Sequence, residues 1–176
     1  MPNHCGGRLT ITGTKKDMES FRRAALGVWP WGRKIDDPDD NCRELMLCNF
    51  VPPPIAAIND YQKIGYSWCS NVLGTKWGCY DIHVEILPES LVYTFDTAWS
   101  PFEPSVLEAM SVRFPELHFV YTYDEPGCQV DGEYTAFAGE VEGGSNAQYT
   151  GLLYGLSNED EDNDESTEST DKKEAV

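Results

Sequence analysis

The sequence predicts an α+β protein: a ferredoxin-like split β-α-β sandwich with an insertion between its first helix and a central hairpin. Three observations carry this. Apolar residues alternate with period two in a series of short segments, the mark of strands with one buried face. Two helical stretches with N-terminal start signals separate those segments, giving strand, helix, hairpin, helix, strand once residues 28–80 are set aside. The 176 residues suffice for one ordinary domain, and no apolar run reaches the eighteen or so residues of a membrane span. The domain is placed at 1–145 and an acidic tail at 146–176.

The elements follow in order. Arg8–Thr12 alternates, with Leu9 and Ile11 on one face. Thr14-Lys15-Lys16-Asp17 has the form of a helix start, and Met18, Phe21 and Ala25 fall on one stripe, so a helix is expected from Lys15 to Leu26, ending near Gly27. Residues 28–44, with Trp-Pro-Trp-Gly and Asp-Asp-Pro-Asp-Asp-Asn, read as a long loop. Leu45–Val51 is an apolar run stopped by three prolines, read as an edge strand. Ile55–Val72 is expected to be helical at least in its second half, with Gly65 opposing.

Asp81–Leu87 and Leu91–Phe95 alternate on either side of Pro88-Glu89 and predict a hairpin. The next helix starts either at the capping-box spacing Ser100-Pro101-Phe102-Glu103 or at Pro104. Its stripe is Leu107, Met110 and Phe114, and Pro115 ends it. Leu117, Phe119, Tyr121 and Tyr123 mark another strand. Gln129–Glu140 reads as one longer, more polar strand, and Gly143-Gly144-Ser145-Asn146 as the exit from the domain.

This order assigns the two faces of the sheet. Helices should cover Leu9, Ile11, Ile82, Val84, Ile86, Leu91, Tyr93 and Phe95. The opposite face should show Arg8, Thr10, Thr12, His83, Glu85, Thr94, His118 and Thr122. RNA-binding sheets of this shape stack bases on aromatics there, and this face is read as lacking them, which argues against an RNA-recognition module.

The formal net charge of −17 gives the same answer. Ser157–Val176 holds nine acids and two lysines, −7, which leaves −10 on the other 156 residues. An acidic body has no basic stripe to release counterions from phosphates, so direct nucleic-acid binding is disfavoured. It suits a partner that itself has a basic, nucleic-acid-binding surface. The tail lacks apolar periodicity, is expected to be disordered, and equally fits a solubilising role. The start, Met-Pro-Asn-His-Cys-Gly-Gly-Arg, lacks the pattern of a signal peptide, so a cytoplasmic protein with reduced cysteines is expected.

Pro2-Asn3-His4 before a Leu-Thr-Ile-Thr-Gly strand, then Asn49-Phe50-Val51-Pro52, Gly74-Thr75-Lys76-Trp77-Gly78 and Phe95-Asp96-Thr97-Ala98-Trp99-Ser100-Pro101, resemble the YubB-type ferredoxin-like domain family over residues 1–140. The resemblance implies the fold, a bacterial cytoplasmic setting and an origin in plasmids, phages or other mobile elements. It implies no activity.

Two tryptophan-centred segments are the candidate site. Trp77 precedes the first strand of the hairpin and Trp99 follows the second, so they should meet at one end of it. A structural clasp is the leading reading, with Trp77, Tyr80 and Asp81 fastening the insertion and Asp81 capping a turn. The functional alternative is a pocket in which Trp77 and Trp99 wall in Lys76 and Asp96, with Asp96 as a base; Asp96 equally suits hydrogen bonds from the Thr97–Trp99 backbone. Trp29 and Trp31 are candidate aromatic anchors for a partner. His4, Cys5, His83 and His118 with Cys48, Cys69 or Cys79 lack the paired spacings of a zinc site, and neither a metal nor a cofactor is expected. No phosphate-binding loop and no Gly-x-Ser-x-Gly elbow is present. The sequence therefore favours a non-enzymatic acidic binding protein that blocks a host nucleic-acid-handling or defence protein. A small enzyme or small-molecule binder using Trp77, Trp99 and Asp96 is the alternative, and self-association through the open sheet face is a third reading.

Overall fold

The computed structural model describes residues 3–31 and 42–146. Its elements are β1 (His4–Thr12), α1 (Lys15–Ala25), β2 (Gly27–Val28), β3 (Cys42–Arg43), α2 (Ile55–Asn59), α3 (Tyr66–Trp68), β4 (Tyr80–Ile86), β5 (Ser90–Ala98), α4 (Pro104–Arg113), β6 (His118–Glu125), β7 (Val130–Phe137) and β8 (Glu140–Ser145). Six strands form one antiparallel sheet in the order β4-β5-β1-β6-β7-β8, and β2 pairs with β3 separately. The first four positions are the ferredoxin-like sheet; β7 and β8 lengthen it. Most of the 28–44 loop and almost all of the expected tail lie outside the described residues.

The helix-covered face carries an aromatic core. Leu9 pairs with Tyr93 on one side and Tyr121 on the other, so the period-two residues of three strands share that face. Phe21 of α1 lies 5.2 Å from Phe50 and within ring contact of Tyr93, Phe114 and Phe119. Phe102, before α4, stacks on Tyr121 at 3.9 Å, with Phe95 beside both. Each such side chain contributes about 1.5–3 kcal/mol through burial. Among the described residues no helix is long and apolar enough to cross a membrane.

Helix α1 forms as expected. The Thr14 side chain accepts from the Asp17 amide, two arginines end the helix, and Met18, Phe21 and Ala25 are buried. Helix α4 begins at Pro104 with Glu103 as cap, so the Ser100 capping box does not form; the Ser100 hydroxyl donates to the Gly74 carbonyl instead. Phe114 lies one residue past α4 and is only half-buried.

Five expectations change. First, β1 starts at His4, four residues early, because Gly6 and Gly7 interrupt the apolar alternation without breaking the strand. A Cβ on Gly7 would stand 2.4 Å from the Phe95 ring, so packing requires glycine there. Second, Leu45–Val51 is not an edge strand. Leu45, Met46, Leu47 and Cys48 are all buried around a single tight turn at Leu47–Asn49. Asn49 then donates to the Ala24 and Leu26 carbonyls at the end of α1. Third, the chain is helical from Ile55, with wide turns at Tyr61–Gly65 and Cys69–Leu73 flanking α3. Gly65 does not oppose this: a Cβ there would meet the Ala57 carbonyl at 2.8 Å, so glycine permits a close approach. Fourth, the strand expected over Gln129–Glu140 forms as β7 but stops at Phe137, and Glu140 already opens β8. Ala138 and Gly139, with φ of 49° and 90°, make a two-residue hairpin turn between β7 and β8. Fifth, Gly143 and Gly144 lie inside β8, not at an exit.

Candidate functional site

The uncovered face of the sheet is a field of carboxylates. The register places Glu85 of β4, Asp96 of β5, Asp124 of β6, Asp131 and Glu133 of β7, and Glu140 and Glu142 of β8 on the face opposite Leu9 and Tyr121. Six of these are exposed and Asp96 is half-buried. Arg8 is the one cation of the described strands on that face. Asp124 and Asp131 stand directly opposite each other, an unfavourable like-charge pair eased by a 2.8 Å bond from the Asn146 amide to Asp131. The expectation that this face lacks aromatics is corrected at its β8 end. Phe137 stacks on His118 at 4.0 Å and remains 43% exposed.

A concavity of about 540 Å³ opens over the first half of β1 and the end of β6, bordered by His4, Arg8, Thr122 and Asp124. Its floor includes Gly6, where a Cβ would meet nothing closer than 3.8 Å. Unlike Gly7, Gly6 is not required by packing. His4 Nδ1 lies 2.6 Å from the Tyr80 hydroxyl and 3.8 Å from Asp96 Oδ2. Tyr80 also donates weakly to the Thr97 carbonyl, and partial burial, followed by the neighbouring Asp96 and Asp81 charges, raises its pKa.

The two tryptophan segments do meet. The Trp77 and Trp99 rings are 6.5 Å apart. Thr75 fastens them: its buried hydroxyl accepts from the Ala98 amide at 3.1 Å and donates to the Ala98 carbonyl at 3.3 Å. Glu103 N donates to Leu73 O, closing the same seam. Lys76 Nζ sits 4.7 Å from each indole and 5.6 Å from the Tyr66 ring, an aromatic box around an ammonium group. Trp99 is 44% exposed and held at φ 71°, a left-handed conformation uncommon outside glycine.

Asp96 is not in this box. It lies on the open face with His4 and makes no ion pair with Lys76. Hydrogen bonds from the Thr97–Trp99 backbone do not reach it either; Trp99 N donates to Asn3 O and Ala98 N to Thr75. The predicted pocket thus divides: Lys76 sits in the aromatic box, Asp96 lies beside His4 on the open face, and Tyr80 packs edge-on against both Trp77 and His4. Asp81 caps nothing. It is exposed, its side chain makes no hydrogen bond among the described residues, and it sits at φ 48° where β4 bulges.

Trp29 and Trp31 are not exposed anchors. Trp29 is buried under Arg43, whose guanidinium lies 4.8 Å from the ring and donates to the Trp77 and Cys79 carbonyls. Trp31 is half-buried, donates to Ala57 O at 2.7 Å and packs on Tyr61 and Trp68. Both are the core of the insertion. The zinc candidates are dispersed, and among the described residues no three His, Cys, Asp or Glu side chains gather as metal ligands. The thiols of Cys5, Cys48 and Cys69 are pushed up to about 12, chiefly by burial, which removes them as thiolate nucleophiles at neutral pH.

Sequence reasoning missed the contribution of β8 and the contact of His4 with Tyr80. The signal for the second was the Asn-His-Cys-Gly-Gly start, legible as strand only if two glycines are allowed in its interior.

The chain belongs to the family described as the ferredoxin-like domain in Api92-like protein, which matches residues 76–171, from the aromatic box through β8 and beyond. Protein api92 from Yersinia pseudotuberculosis, solved by crystallography, has a similar structure: TM-score 0.58 at 11% identity, covering 82% of this chain and 98% of that one. At that identity the likeness shows the fold alone. No curated protein matches the chain.

Proposed function

We propose that this protein is a non-enzymatic acidic binding protein whose open sheet face engages the basic nucleic-acid-binding surface of a host protein. The observation that supports it most is the composition of that face, seven carboxylates against Arg8 across six strands. Strands stand about 4.8 Å apart and same-face neighbours along a strand about 7 Å apart, so the acids form a regular two-dimensional array. A protein built to hold phosphates would meet charges of the right sign on a rigid support. Each exposed acid contributes little alone, about 0.2–1 kcal/mol, and the array sets encounter rate and specificity. The aromatic edge formed by Trp99, Trp77 and Tyr80 supplies apolar contact where the array ends.

The reading extends to setting. The resemblance to YubB-type proteins favours a mobile element of bacteria as the source and the host cytoplasm as the place of action, with a nuclease or other defence protein as target.

The test is affinity purification with the full chain and with a variant carrying Asp124→Asn, Asp131→Asn, Glu133→Gln and Glu142→Gln. The proposal expects a nucleic-acid-binding protein on the wild type, released by added DNA and lost from the variant. Failure to recover such a protein at low salt contradicts it.

A second reading keeps a small-molecule role for the aromatic box. Its observation is the ammonium of Lys76 held between Trp77, Trp99 and Tyr66, which marks the box as suited to alkylammonium groups. Lys76→Ala should then bind tetramethylammonium with a change in tryptophan fluorescence, and Trp99→Ala in the same background should not.

A further inference from the structure

Strand β4 is the outer strand of the sheet, and no described element pairs with its far side. Leu87 N bonds Ser90 O, and the ladder continues through Glu85 opposite Val92 and His83 opposite Thr94. Hydrogen-bonded pairs alternate along an antiparallel ladder. The odd-numbered residues therefore bond β5, and the amides and carbonyls of Ile82, Val84 and Ile86 point to the free edge. Natural edge strands are blunted by Lys, Pro, inward-pointing charges or bulges, and on β4 the bulge lies only at its start, between Tyr80 and His83. Here the edge reads Ile82-His83-Val84-Glu85-Ile86, with Ile86 63% exposed. Behind it a groove of about 330 Å³ runs between β4 and α1, walled by Met18, Ile86, Leu87 and Leu91.

We infer that a second copy of this chain pairs with β4, antiparallel and two-fold, to give one continuous sheet through both molecules. The register follows from the sequence. A two-fold axis normal to the sheet keeps each face on its own side, so the axis must pass through a residue. Centred on His83, it places Asp81 opposite the partner copy's Glu85. Centred on Glu85, it places that carboxylate opposite itself. Centred on Val84, it sets His83 opposite Glu85 twice on the open face, and on the helix-covered face Val84 opposite itself between two Ile82–Ile86 pairs. Only this register brings all three outward-facing residues of each copy into hydrogen-bonded pairs, up to six bonds in total, and it opposes no like charges. The Asp81 bulge ends the pairing beyond Ile82. The arrangement leaves the acidic array exposed on the same side of both copies, doubling its length.

The test is the mass of the full chain in solution at about 100 μM by sedimentation equilibrium. The expected value is 39.6 kDa, twice the 19.8 kDa of one chain, falling to 19.8 kDa in Ile86→Lys. Ile86 is largely exposed, so this change should leave the fold intact, which circular dichroism checks. The register is read by crosslinking in a Cys128→Ser background, since Cys128 is exposed. Val84→Cys should give a disulfide-linked pair on mild oxidation and His83→Cys should not. A monomer at that concentration overturns the inference, as does a dimer that survives Ile86→Lys or a Val84→Cys chain that fails to crosslink.

Discussion

Thr75→Val should be among the more costly polar-to-apolar substitutions in this domain, although it preserves side-chain shape. Strand β4 ends at Tyr80, opposite Asp96, so Ala98 lies past the ladder on that side of β5. The Thr75 hydroxyl supplies the missing partner for both the Ala98 amide and its carbonyl, and Thr75 and Ala98 are 1% and 0% exposed. Valine restores neither bond. An unsatisfied buried amide costs about 1–3 kcal/mol and the second lost bond about 1 kcal/mol more, so the total is about 2–4 kcal/mol. Urea unfolding of the full chain, followed by tryptophan fluorescence, measures it. With a slope of about 2 kcal/mol per molar, the midpoint should fall by about 1–2 M at unchanged slope. Thr75→Ser, which keeps the hydroxyl, should recover most of the loss. A Thr75→Val midpoint within about 0.2 M of wild type would refute the clasp as the element joining the two tryptophan segments.

Three further outcomes follow from the packing and the charges. Asp124→Asn should raise stability by about 0.2–1 kcal/mol in the same assay, because it removes a like-charge pair with Asp131; a loss would mean the pair is favourably arranged. Tyr93→Phe should be neutral or stabilising, since the buried Tyr93 hydroxyl has no hydrogen-bond partner among the described residues and its removal relieves an uncompensated desolvation; a loss above about 1 kcal/mol would show a bond that those residues do not supply. Stability should fall above pH 9, because Cys5, Cys48 and Cys69 titrate near an ordinary 9.0 when unfolded but only at about 12 when folded. The unfolded chain then holds fewer protons than the folded one, so each such group removes up to about 1.4 kcal/mol per pH unit between those values; a thermal midpoint flat from pH 8 to 11 would contradict their burial.

The hairpin β4-β5, α4 and β6 were legible because alternation, a Pro start and a Pro stop all agreed with the tertiary outcome. Residues 45–51 were not. A short apolar run buried on every side looks the same as strand or as compact turn, and only the Asn49 bonds to the end of α1 decide it. The Gly143-Gly144 pair reads as a loop signal, but β7 supplies the partner that keeps it in a strand, and Gly143 lies so close to the Glu133 carbonyl that a larger residue would not fit. The tryptophan clasp was legible from topology, since the two segments flank one hairpin. Period two along β5 already sets Asp96 on the face opposite Phe95, but its neighbour there, His4, was not legible because that contact needs β1 to start four residues early. The acidic excess was plain in composition, whereas its concentration on one face required β7 and β8.

The most direct test of the acidic face is the salt and competition dependence of its binding to the protein it captures. The account predicts an affinity that falls steeply between 50 and 200 mM salt, competition by duplex DNA, and loss in the variant carrying Asp124→Asn, Asp131→Asn, Glu133→Gln and Glu142→Gln while its unfolding midpoint is unchanged or higher. Binding that is indifferent to salt, to DNA and to those four substitutions would contradict it.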